Sequence, residues 1–202
     1  AGAVGDVSKH TVEIWAWDYR GNSAYKKHVI NYHFKEEGEV IGSVTLRLDA
    51  TVLGLGILAE DSGYEVKQGQ PASYVVKEFL EDNGFPASYS GSLDVGFYLQ
   101  RIRCSDAFSG AAIPEELQTL LTLDGLTVRQ PEGYKDSLGE FDYTQGSGWM
   151  CAVNGYYPGR GLSNVFLGDG DVVTIAFTLA YGKDIGGADA GNVRGNLRTY
   201  CG

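Results

Sequence analysis

Proline, cysteine, histidine and methionine are all scarce: 5, 3, 3 and 1 among 202 residues, and 16 Lys and Arg face 26 Asp and Glu. Each shortage excludes something. Cys104, Cys151 and Cys201 show neither a CxxC nor a Cys/His spacing that would hold zinc. One intrachain disulfide at most is possible, its pairing open, and Cys151, inside an apolar strand, reads as a buried free thiol. The net charge of −10 repels phosphate backbones and anionic lipid, so nucleic acid is not an expected partner. No apolar run is long enough to span a bilayer, and no basic segment precedes an apolar one at the start; the chain reads as a soluble piece cut from something longer. His10, His28 and His33 crowd into the opening stretch with no nucleophile and no helical partner, so they are not read as a catalytic or metal set. There is no G-x-S-x-G, no Cys with a matched His and no metal motif, and enzyme activity is not expected. A carboxylate pair meeting only in space would escape this argument.

Glycine, by contrast, is abundant at 29 residues, and 13 Tyr outnumber 8 Phe. With Gly at about twice its usual share of roughly 7%, this is the profile of a turn-rich β protein. A chain of this length buries roughly 70% of its unfolded surface, enough for one full domain and an appendage.

The pattern divides near residue 40. In 11–34, Val12, Ile14 and Ala16 alternate with Thr11, Glu13, Trp15 and Trp17, and "DYRGN" supplies turn residues before a second alternating run, which predicts a β-hairpin for residues 1–40. A charged link, "KEEGEVIG", leads to the main unit, 41–202. There Val44, Leu46 and Leu48 mark a half-buried strand. Val75, Val76, Phe79 and Leu80 recur at helical spacing between Pro71 and Asn83-Gly84. Residues 93–103 read as a strand and 113–125 as a short helix or turn begun by Pro114. "GSGWMCAV" reads as a strand, Asn154-Gly155 as a tight turn with positive φ at both positions, and "YYPGRG" as the return strand. Asp169-Gly170 turns into "DVVTIAFTLAY", the most strongly β run, and a glycine-rich tail follows.

Two resemblances rest on these residues. "EIWAWDYRGN" resembles the closing strands of bacterial immunoglobulin-like repeats, with Ala16, Asp18, Gly21 and Asn22 at the turn. The succession over 42–187 of strand, helix, strand, a Gly-Trp-x-x-x-Val-Asn-Gly segment and a Gly-Asp strand resembles the transcobalamin and intrinsic factor C-terminal-like domain, also found in surface proteins of Gram-positive bacteria. Its landmarks here are Gly148, Trp149, Val153, Asn154, Gly155, Gly170 and Asp171. The resemblance implies an α+β fold with a β-grasp-like mixed sheet and one main helix, and an extracellular or cell-wall location. In the vitamin carriers this domain forms one wall of a cobalamin site closed by an α/α-barrel. This chain lacks the paired-helix repeats of such a barrel, so cobalamin is implied as a cofactor by resemblance alone. Between Gln100 and Gly146 the chain carries an insertion longer than the usual family loop.

The candidate ligand-binding residues are Trp149, Tyr156, Tyr157 and Arg160. A Trp flanked by glycines can offer an open aromatic face, with stacking and hydrogen-bonding groups across the turn. The competing reading puts Trp149 in the core, with the glycines making room for it. Asp169, Asp171, Asp184 and Asp189 invite a calcium reading, but their spacing matches no known loop, and turn chemistry accounts for the first two. An intramolecular Lys-Asn isopeptide bond is a further option, visible as the loss of one water in mass. The expected function is a non-catalytic surface or secreted module for ligand binding, adhesion or display, whose partner is a small molecule, a glycan or a neighbouring domain. The alternatives are a corrinoid half-site and a structural spacer.

Overall fold

A computed structural model describes residues 7–33, 35–129 and 136–187, and the chain separates into two compact units, Ala1–Glu39 and Val40–Gly202. The first is an antiparallel hairpin of β1 (Val7–Trp17) and β2 (Ser23–His33), in the register that pairs Trp15 with Tyr25 and Trp17 with Ser23. Its turn is organised by one carboxylate. Asp18 Oδ1 accepts the backbone N–H groups of Arg20 and Asn22, Oδ2 accepts the Asn22 amide, and Gly21 takes the positive φ that closes the loop. The Asn22 hydrogen bonds, led by the one from its side chain, hold the Asp18 carboxyl below its ordinary value. His10 and His28 are exposed on this ribbon.

Among the described residues the second unit is mixed: mostly strands, with two α-helices and two sheets. β3 (Val40–Asp49) and β4 (Ile57–Lys67) form an antiparallel pair, followed by helix α1 (Ala72–Asp82), β5 (Ala87–Ser90) and β6 (Tyr98–Arg103). Helix α2 (Glu115–Leu123), β7 (Ser137–Gly139), β8 (Gly148–Val153) and β9 (Val172–Thr178) complete it. The larger sheet runs β4-β3-β9-β8, with β3 and β9 parallel at its centre, and the smaller runs β5-β6-β7. Leu46, Leu48, Ile175 and Phe177 from the larger sheet share one apolar core with Val75, Val76, Phe79 and Leu80, the helical stripe read in the sequence. The fold is therefore consistent with the α+β expectation.

Two local expectations need correction, and one strand adds to them. β4 was not anticipated: its "AEDSGYE" centre is too polar for a buried strand, and it is tolerated because β4 is an edge with one partner. The expected strand over 93–103 begins only at Tyr98, and β5 precedes it. "YYPGRG" is not the return strand of β8. Asn154 and Gly155 do take the positive φ values expected, 52° and 77°. The turn nevertheless closes on a single Val153–Tyr156 bridge, after which Pro158 and the glycines leave the sheet, and β8 pairs with β9 instead.

Candidate functional site

β8 lies at an edge of the larger sheet, so one of its sides has no strand beside it. Residues of β8 line two hollows. One, of about 380 Å³, sits at the start of β8 among Tyr98, Glu140, Phe141, Gly148 and Tyr181; the other, about 310 Å³, continues beside Cys151, Tyr157, Arg160 and Leu162. Both touch Tyr98, Trp149 and Met150, which makes one groove along the strand. Its volume falls within the roughly 300–1,000 Å³ of small-ligand sites.

The four candidates are placed unequally. Trp149 is only 7% exposed: its ring meets Phe177 edge to face, centroids 5.0 Å apart, and its indole N–H donates to the Leu138 carbonyl at 2.9 Å. It thus forms part of the core while one margin borders both hollows. Tyr157 and Arg160 line the second hollow. Tyr156, 71% exposed, lines neither. Burial pushes the Tyr157 phenol well above its ordinary value, with the neighbouring Cys151, Asp184 and Asp49 adding to the effect.

Tyr98, Glu140, Phe141, Met150 and Tyr181 belong to the groove without having been singled out in the sequence. The Tyr98 hydroxyl pairs with Glu140; burial first, and that carboxylate second, push it up to about 12. Phe141 and Tyr181 carry positive φ, 64° and 54°. For bulky residues this is an uncommon, strained conformation, of order 1–3 kcal/mol each. Both are held in place: the Phe141 N–H donates to the Ser147 carbonyl at 3.1 Å and the Tyr181 N–H to the Gly146 carbonyl at 2.9 Å. Nothing local in "GEFDYTQ" or "LAYGKD" announces these angles.

An ion pair between a half-buried arginine and a buried carboxylate fixes the Glu140–Phe141 wall. Arg101 on β6 grips Asp142 through two hydrogen bonds, 2.7 and 2.5 Å, and Asp142 also accepts the Gly139 N–H at 2.8 Å. The opposite wall is tied down by Asp184, which accepts the Thr178 hydroxyl and the Leu179 N–H. Burial raises the Asp184 carboxyl even so, against the pull of those hydrogen bonds.

Cys104 and Cys151 are both free thiols, and Cys201 lies outside the described residues. Cys151 retains some surface as a residue, but burial of its sulfur pushes the thiol up to about 12. Among the described residues no three His, Cys, Asp or Glu side chains converge as metal ligands. Asp169 instead accepts the Ser43 N–H, Asp171 accepts the Asn154 amide and the Gly168 N–H, and Asp189 lies outside the described residues. No helix among the described residues is long and apolar enough to cross a membrane.

No protein-family model matches the chain, and no curated protein matches it.

Proposed function

We propose that this protein is a non-catalytic binding module, displayed at a cell surface or secreted, that takes its ligand in the groove along β8. The observation that carries the reading is the meeting of two hollows on one unpartnered strand edge, walled by aromatic rings and ended by Glu140 on one side and Arg160 on the other. Apolar walls with few polar groups are the usual make-up of a ligand site. Two aromatic residues kept in left-handed backbone also favour a role for that surface, since strain concentrates at ligand clamps. The thiol lining the groove, Cys151, is pushed up to about 12 by burial, which suits it poorly to act as a nucleophile. The β-grasp-like reading draws support from the central parallel pair β3 and β9, each flanked by an antiparallel neighbour, with α1 packed on the same core.

The test is a calorimetric titration of the whole chain with cyanocobalamin, a panel of bacterial-wall oligosaccharides and a pool of random peptides. Saturable binding of any of them that weakens in Arg160→Ala or Tyr98→Ala, both still folded, supports the reading. Binding indifferent to both substitutions, or none up to millimolar concentration, about 4 kcal/mol of affinity, overturns it.

A further inference from the structure

The hydrogen-bond parity of β8 says which of its backbone groups face the groove. The Asn154 N–H donates to the Val172 carbonyl at 2.8 Å, which assigns the even-numbered residues of β8 to the ladder with β9. The odd-numbered residues therefore present their N–H and C=O groups to the open side. At one end the Ser147 carbonyl accepts the Phe141 N–H. At the other, Val153 exchanges both of its bonds with Tyr156, at 2.8 and 2.9 Å. Between these capped ends lie Trp149 and Cys151. Among the described residues, no hydrogen-bond partner meets the outward N–H or C=O of either one. Both residues line the groove.

An open edge with two donors and two acceptors at strand spacing is a template for another strand, which would lie about 4.8 Å away. Side chains of such a strand would alternate between the two sides of the groove. Natural proteins usually blunt such an edge with charge or proline, and "GWMCAV" carries neither. A small apolar molecule would leave these four backbone groups to water, and the hydroxyls of a sugar are not set at the fixed spacing of a strand. An extended peptide would pair all of them.

Resting on the binding role proposed above, we infer that the ligand is an extended peptide segment, added as a strand to β8 opposite Trp149 and Cys151. Its apolar or aromatic side chains sit among Tyr98, Phe141 and Tyr157. A basic side chain lies toward Glu140 and an acidic one toward Arg160, matching the charges at the two ends.

The experiment selects binders from a library of random seven-residue peptides against the whole chain. The best binder is then resynthesised with single N-methyl groups walked along its backbone, and amide hydrogen exchange of Trp149 and Cys151 is followed with and without it. Strand addition predicts that N-methylation at two positions, two residues apart, each weakens binding about tenfold, one lost hydrogen bond at a time, and that the position between them is tolerated. It also predicts that the two amides exchange freely in the free protein and slow on binding. A binder insensitive to N-methylation, or amides already protected in the free chain, overturns the peptide proposal. So does the absence of any peptide binder when an oligosaccharide or corrinoid binds with the Arg160→Ala dependence described above, and in that case the binding role stands. No binding by any probe overturns both.

Discussion

The indole N–H of Trp149 and the carbonyl of Leu138 meet at 2.9 Å, a bond that joins β8 to the strand of the smaller sheet. Replacing the ring by one without the donor leaves a buried carbonyl unpaired. Trp149→Phe is expected to destabilise the main unit by about 1–3 kcal/mol, read as a lower urea midpoint with unchanged slope.

The same burial makes an optical prediction. Trp15 and Trp17 are 52% and 70% exposed on the hairpin, whereas Trp149 is covered. In the Trp15→Phe/Trp17→Phe variant the remaining emission should be blue-shifted and resist iodide quenching. A readily quenched signal would place Trp149 outside the core.

Asp142 is buried and gripped by Arg101 through two short bonds. Asp142→Ala removes both of those bonds and leaves the Gly139 N–H without its acceptor, so it should cost about 1–3 kcal/mol by thermal or chemical denaturation. It should also loosen the Glu140–Phe141 wall and weaken any groove ligand. A loss within 0.5 kcal/mol, roughly the scale of exposed pairs, would show that the pair is not structural.

The Cys151 thiol, pushed up to about 12 by burial, should stay unreactive. At pH 8 an ordinary thiol near 8.5 is partly ionised, so Cys151 should react with an aromatic disulfide reagent about a thousandfold more slowly in the folded chain than in urea. Stability follows the same sign. The folded pKa lies above the unfolded one, so the contribution is intact below about pH 8.5 and is lost as pH rises toward 12, where the unfolded thiol ionises first. Cys151→Ala should flatten that part of the alkaline stability profile relative to the native chain.

Phe141 has φ of 64° and is 58% exposed, so it gains little from burial while bearing left-handed backbone. Asn tolerates that region. Phe141→Asn should therefore keep or raise stability, by up to about 1 kcal/mol, while weakening ligand binding at the groove. Loss of stability with unchanged binding would contradict a role for the ring in recognition.

What could be read in the sequence was local. The stripe Val75, Val76, Phe79 and Leu80 is helical and packed, the Asp18 and Asn154-Gly155 turns form where their side-chain chemistry and φ preferences put them, and the strand read in "GSGWMCAV" is β8. The rest depended on distant pairing. β4 hides its strand character behind Glu60, Asp61, Ser62 and Glu65 because an edge strand need not be apolar. The partner of β8 is β9 rather than its immediate sequel, which no period of two can specify. The groove gathers Tyr98, Phe141 and Tyr181 from three separate segments, and only the Trp149, Tyr157 and Arg160 part of it falls within one readable stretch.

The groove itself can be tested without knowing its natural ligand. Amide shift mapping of the isotopically labelled chain with small aromatic and sugar probes, p-cresol and methyl glucoside, would show where probes collect. The account predicts that the shifts concentrate on residues 98, 140–141, 148–151, 157, 159–160 and 181. Shifts scattered over the surface, or gathered at a different place while β8 stays silent, would contradict it.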